Sequence, residues 1–294
     1  MKKRVIFKGV GTALVTPFSR GRIDYPTLDR LIERQIDAKI DALVIGGTTG
    51  EAATLSDNER YVLYAHAIDR VGGRCAVILG TGTNDTRVAI KHTRVAKDLS
   101  ADGALVVTPY YNKGTESGIR RHYEAIADAV DIPLILYNVP SRTGVSIPIS
   151  TLAGLSEREN IVGIKEAADS ADRLVKISAL GEALPLYAGN DSQTYTALAL
   201  GGVGVISVLS NLCPERMKKI SDSLASGENE AALSEQQALL PLIDAMFAET
   251  NPAPVKYALA RLGLCSEEMR LPMSEVCDDT RRLIDGILKK FELI

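Results

Sequence analysis

Lys165 ends the apolar part of "NIVGIKEAAD" (residues 160–169), where Ile, Val, Gly and Ile lead into a lysine and then Glu166. Burying an unpaired charge costs several kcal/mol, on the order of a domain's whole stability margin. Such a lysine either snorkels to water or is buried because burial is useful. A free lysine titrates near ~10.4 and is almost all ammonium at neutral pH. Desolvation can lower that value, and a neutral amine attacks a carbonyl to form a Schiff base. That chemistry also moves protons at the carbinolamine, the enamine and the new alkoxide. Tyr137 suits a proton shuttle, and Thr48 and Tyr111 suit a relay to bulk water. Each has a plain reading beside the chemical one: Tyr137 as a core phenol, Thr48-Thr49 as turn or cap residues. Arg142, in "SRTG", is either a bidentate carboxylate clamp or a solvated loop arginine.

These residues need elements to position them. Nearly continuous apolar runs at 9–18, 41–50, 75–82, 103–111, 133–140, 160–167, 184–191 and 202–211 read as strands buried on both faces. Amphipathic stretches separate them; in "YPTLDRLIERQID" Leu28, Leu31, Ile32 and Ile36 share one helical face. Ser56 with Glu59 three residues later spells a capping box, a structural task for Glu59. Eight strand–helix units predict a (β/α)8 TIM barrel with a C-terminal helical extension, divided as a catalytic barrel over 1–225 and a helical domain over 226–294. A doubly wound sheet shares the alternation, but neither a GxGxxG nor a P-loop spelling is present. The strands' C-terminal ends carry Thr16, Thr48-Thr49, Thr81, Tyr110-Tyr111, Tyr137-Asn138, Lys165-Glu166, Gly189-Asn190-Asp191 and Ser207. Barrel enzymes build their sites at that rim. Along the sixth strand Ile161, Gly163 and Lys165 are expected to share a face, with Gly163 leaving space beneath the lysine.

The 294 residues carry a formal net charge of -3 with mixed signs, which gives no basic footprint for nucleic acid. Four scattered cysteines read as reduced thiols of a cytoplasmic protein. No stretch approaches the ~18 apolar residues of a membrane helix, and the N-terminus makes a poor signal peptide. His66, His92 and His122 fall in helical stretches without metal-ligand spacing, so no metal is expected. Pyridoxal phosphate would also use a lysine, but no convincing phosphate nest accompanies it. Lys256, in "NPAPVKYAL", reads as a solvated helix residue.

The segments "GGTTGEAATL" (46–55), "VVTPYYNK" (106–113), "LYNVPSRTG" (136–144), "GIKEA" (163–167), "YAGND" (187–191), "GGVGVISV" (201–208) and "NPAPVKYAL" (251–259) resemble the dihydrodipicolinate synthase family of the N-acetylneuraminate lyase superfamily, pyruvate-dependent class I aldolases. The resemblance covers nearly the whole chain. It implies a Schiff base between Lys165 and pyruvate, with Tyr137, Thr48 and Tyr111 as the proton relay and Tyr111 lent to a neighbouring subunit. It implies Thr49 on the pyruvate carboxylate, Arg142 on the carboxylate of L-aspartate 4-semialdehyde, and the Gly189 and Ile206 carbonyls lining the pocket. A homotetramer (a dimer of dimers) without organic cofactor or metal is the implied assembly. Lysine-inhibited members carry a polar residue, histidines and an acid where this chain has Ala52, Asp57, Arg60 and Val88; Asn84 and Tyr110 remain. Weak or absent feedback inhibition is therefore expected. Two rival readings stay open: a pyruvate aldolase acting on a sialic or 2-keto-3-deoxy sugar acid, and a non-catalytic sensor barrel.

Overall fold

A computed structural model describes residues 2–294. Eight parallel strands close into a barrel: β1 (Gly9–Ala13), β2 (Ala42–Ile45), β3 (Ala76–Gly80), β4 (Gly103–Val107), β5 (Leu134–Asn138), β6 (Ile161–Glu166), β7 (Leu186–Ala188) and β8 (Gly204–Ser207). Each pairs with the next in sequence, and β8 returns to β1 from Gly9↔Gly204 to Thr12↔Ser207. The expected closed barrel is therefore what forms.

Two apolar cores explain the unbroken hydrophobic runs. Inside the barrel Phe7, Val44, Ile78, Leu105, Ile135, Tyr187 and Ile206 pack on one another. Outside it Val10, Leu43, Leu79, Val106, Leu136 and Ile164 meet the helices. A strand apolar on both faces is buried by both layers at once.

The helices are α1 (Tyr25–Asp37), α2 (Asp57–Val71), α3 (Thr86–Asp98), α4 (Glu116–Ala129), the short α5 (Pro140–Thr143) and α6 (Ile149–Leu155), then α7 (Ala171–Ser178), α8 (Thr194–Ala199) and α9 (Pro214–Ala225). Beyond them lie α10 (Asn229–Met246), α11 (Ala253–Arg261) and α12 (Asp278–Lys290). Ser56 and Glu59 form the expected capping box at the start of α2. Glu59 has a second partner, the Arg270 guanidinium, and with it the Glu59 carboxyl is held down at about 2. The three histidines lie on α2, α3 and α4. Burial pushes the His122 imidazole down to about 4.

The structure differs from the sequence reading in two places that bear on the rim. The run 9–18 is a strand only through Ala13. After it, Val15 donates its amide to the Asn211 side chain at 3.1 Å, and Phe18–Ser19 turns into a small antiparallel hairpin with Arg22–Ile23. Pro17, which has no N–H, stands between the two.

The second difference is on β6. Leu134 pairs with Ile161 but Ile135 pairs with Gly163, so β6 holds one extra residue there. Ile161 consequently packs in the outer core with Ile164, while Val162 joins the inner one. Ile161 does not share the face of Lys165, because a bulge shifts the two-residue period by one.

Candidate active site

Lys165 lies directly beside Tyr137 in the β5–β6 register, and Asn138 lies beside Glu166. The lysine is 5% exposed, with its Nζ 4.4 Å from the centre of the Tyr137 ring. It does not snorkel to water. Gly163 leaves no gap below it: a Cβ there would stand 3.1 Å from the Tyr187 ring, so that ring fills the space. The Tyr187 hydroxyl donates to the Phe7 carbonyl at 2.9 Å, which anchors this floor.

Glu166, fully buried, explains how the rim is held. Its carboxylate accepts from Asn138 Nδ2 at 2.7 Å, the Ala168 amide at 2.8 Å and Arg173 Nε at 2.8 Å. Arg173 also donates to the Ile147 carbonyl at 2.7 Å. A buried carboxylate with three donors is satisfied as an anion. The network ties the ends of β5 and β6 together immediately behind Tyr137 and Lys165.

The turn after β2 carries the two threonines. Gly46 opens it at φ +64 against the Tyr64 hydroxyl, which a Cβ would meet at 2.4 Å, so only glycine fits. Within the turn the Gly50 amide donates to the Gly47 carbonyl at 3.1 Å and the Glu51 amide to the Thr48 carbonyl at 3.0 Å. Asn251 reaches in from the C-terminal region. Its Nδ2 donates to Thr49 Oγ1 at 3.0 Å, and its carbonyl accepts from Arg142 Nη2 at 2.9 Å.

A cavity of about 400 Å³ opens at this end of the barrel, and Thr48, Tyr137, Arg142 and Asn251 all line it. Arg60, Thr83, His92 and Tyr110 line it as well. Thr49 is buried behind the turn, Ile206 is buried within the barrel, and Gly189 is half-buried at the end of β7. Tyr111 does not join them within this chain: it is 91% exposed, on a backbone at φ +71. Asp191 is 1% exposed; desolvation pushes its carboxyl up, opposed chiefly by hydrogen bonds from Ser207 and from the Leu209 and Val208 amides.

A scan against protein families matches the description "Dihydrodipicolinate synthetase family" over residues 6–291. The chain belongs to that family. A 4-hydroxy-tetrahydrodipicolinate synthase of Alkaliphilus oremlandii is 44% identical over 98% of this chain and 100% of its own length. One from Thermotoga neapolitana is 42% identical over 98% of this chain and 100% of its own. Among solved structures, dihydrodipicolinate synthase from Aquifex aeolicus superposes with a TM-score of 0.96 at 43% identity, covering 98% of this chain and 99% of that one. The Thermotoga maritima protein gives 0.97 at 40% identity, covering 99% and 100%.

Two features of this member of the dihydrodipicolinate synthetase family escaped the sequence reading. The first is Asn251, which opens "NPAPVKYAL" but whose residue type alone gives its amide no task. The second corrects an expectation. Lys256 is not solvated but fully buried, with Nζ 2.5 Å from Glu51 Oε1. Burial pushes its ammonium down while Glu51 opposes that shift. No sequence rule separates a lysine on an exposed helix face from one on a helix covered by a later loop. The only signal was the apolar company of Val255, Tyr257 and Leu259.

At the positions where the resemblance implies a polar residue, histidines and an acid in lysine-inhibited members, this chain presents a cation at Arg60. Arg60 donates to Tyr64 Oη at 3.0 Å and to the Ala52 carbonyl at 2.7 Å, and Val88 offers no acid. Asp57 is already engaged by Lys91 and His92, and those bonds hold its carboxyl down at about 2.

Proposed function

We propose that this chain is a 4-hydroxy-tetrahydrodipicolinate synthase that condenses pyruvate with L-aspartate 4-semialdehyde in the diaminopimelate route to lysine. The observation that carries this reading is a buried lysine beside a tyrosine, at the C-terminal rim of a barrel of this family. The Lys165 amine adds to the pyruvate C2 carbonyl, and the carbinolamine loses water to leave the imine. Loss of a C3 proton gives the enamine, whose C3 attacks the aldehyde carbon of the semialdehyde. The alkoxide so formed takes a proton. The substrate's own amine then displaces Lys165 from C2 and closes the ring, so one water is released overall. Tyr137 suits the shuttle at each proton step, with Thr48 and Tyr111 completing the relay. Thr49 serves the pyruvate carboxylate, and the Gly189 and Ile206 carbonyls line the pocket.

Exposure of Tyr111 to 91% supports a residue given to a neighbouring subunit, within a homotetramer. The four cysteines are all free, which suits the reducing cytoplasm. Among the described residues no helix is long and apolar enough to cross a membrane.

The decisive experiment has two stages. Incubation with pyruvate and borohydride leaves a reduced pyruvyl adduct on the Lys165 peptide, read by mass spectrometry; no adduct would mean a sensor rather than an aldolase. An assay with the semialdehyde then fixes the acceptor. Arg142 distinguishes the semialdehyde from a sugar aldehyde, which brings no carboxylate to that position. Arg142→Ala is expected to lower kcat/KM for the semialdehyde by up to ~100-fold, the worth of a charged hydrogen bond of at most about 3 kcal/mol. An unchanged value would favour a sugar-acid acceptor.

L-Lysine is expected to inhibit weakly or not at all. Half-inhibition below about a millimolar needs roughly 4 kcal/mol of binding, and the Arg60 guanidinium offers the ammonium repulsion instead. A titration of activity with L-lysine checks this.

A further inference from the structure

Glu51 and Lys256 stand 205 residues apart in sequence, yet their side chains meet at 1% and 0% exposure. Lys256 Nζ also donates to the Glu268 carbonyl at 2.7 Å and lies 4.5 Å from the centre of the Phe18 ring. The second Glu51 oxygen accepts the Arg270 amide at 3.2 Å. Every polar atom of the pair thus has a partner or an aromatic face.

A dry ion pair is a poor source of stability, because desolvating both charges offsets their attraction and an apolar pair of the same shape does as well. What it supplies is direction. Here the direction acts on a constrained piece of backbone: Glu51 sits at φ +54, ψ +38, the left-handed region that disfavours side chains. Its amide holds the Thr48 carbonyl at 3.0 Å, so any displacement of Glu51 reaches Thr48 through one hydrogen bond. On the other side, Lys256 holds Glu268, from which the chain runs on to Pro272 and Met273. Both of those line the same cavity as Glu51 and Thr48. The pair joins two walls of the site without touching the place where bonds would change.

We infer that Glu51 and Lys256 are positioning residues: their buried ion pair holds the Thr48-Thr49 turn at the height where its hydroxyls meet a keto acid bound to Lys165. This rests on the Schiff-base reading above. Misplacing a group by about 1 Å can cost on the order of 100-fold in rate. Loss of the pair therefore slows adduct formation with pyruvate and the later proton steps that use Thr48, while binding of the semialdehyde, which rests on Arg142, is spared.

The test pairs two variants with the wild type. Glu51→Gln with Lys256→Met removes both charges together and leaves no buried ion unpaired. Glu51→Asp keeps the charge but draws the carboxylate back by one methylene. For each folded protein three quantities are measured: the melting temperature, the rate of borohydride-trapped adduct formation at Lys165, and KM for each substrate. The expected result is a ~10- to 100-fold slower trapping rate and a matching fall in kcat/KM for pyruvate, with KM for the semialdehyde unchanged. Wild-type trapping rates in either folded variant would overturn the inference and leave the pair a structural contact. If the double variant does not fold, Glu51→Asp decides alone. Absence of trapping in the wild type would overturn the Schiff-base reading itself, and this inference with it.

Discussion

Replacing Lys165 with alanine is expected to lower kcat by on the order of 10⁴-fold or more while leaving the fold intact, because the proposed covalent route depends on this one amine. Lys256, the other deeply buried lysine of this region, cannot stand in, since Glu51 and the Glu268 carbonyl hold its ammonium. Stability should move the other way. Among the described residues the Lys165 side chain forms no salt bridge and no hydrogen bond beyond its approach to the Tyr137 ring. Removing an amine from a site that is 5% exposed relieves desolvation more than it loses packing. A thermal melt equal to or above the wild type's, together with lost turnover and lost borohydride trapping, is the expected pair of results. Turnover that survives the substitution would end the covalent mechanism.

Glu166→Ala is expected to do the opposite: large damage to the fold, with activity lost as a consequence. The Glu166 side chain is 0% exposed and its carboxylate accepts from Asn138, Ala168 and Arg173, whose side chain is only 14% exposed. Removing one partner of such a pair leaves the other charge without compensation, at a cost of roughly 3–5 kcal/mol. In a chain of this size that lowers the melting temperature by about 10 °C. Glu166→Gln separates charge from shape: it still accepts from Asn138 and the Ala168 amide but offers Arg173 no charge. It should fall between the wild type and alanine. A melt of Glu166→Ala within a degree or two of the wild type would show that the network carries no such weight. The carboxylate would then be no more than a neighbour of Lys165.

The barrel was legible in the sequence because burial on both faces writes itself as unbroken apolar runs, and the helices between them keep their own period. The capping box at Ser56 and Glu59 was legible for a similar reason: a cap is local, and its spelling is short. The strand ends were less so. The run 9–18 stays apolar past Ala13 because Leu14, Val15 and Phe18 remain buried in the outer core although the strand has ended. Ile161 was misplaced because a bulge arises in the pairing of two strands and leaves no mark on one of them.

Within the candidate site the division follows the same line. Residue type and position at a strand's end singled out Lys165, Tyr137, Thr48, Thr49, Tyr111 and Arg142. The fold alone decided that Tyr137 and Lys165 lie side by side, that Tyr187 fills the space beside Gly163, and that Tyr111 is exposed within its own chain. It also brought Asn251, Lys256 and Arg270 across some 200 residues to the threonine turn. Chemistry-bearing residue types, apolar period and caps are local properties, readable one segment at a time. Whether a charge is buried, and against what, depends on which distant segment covers it, and that is settled only when the chain closes.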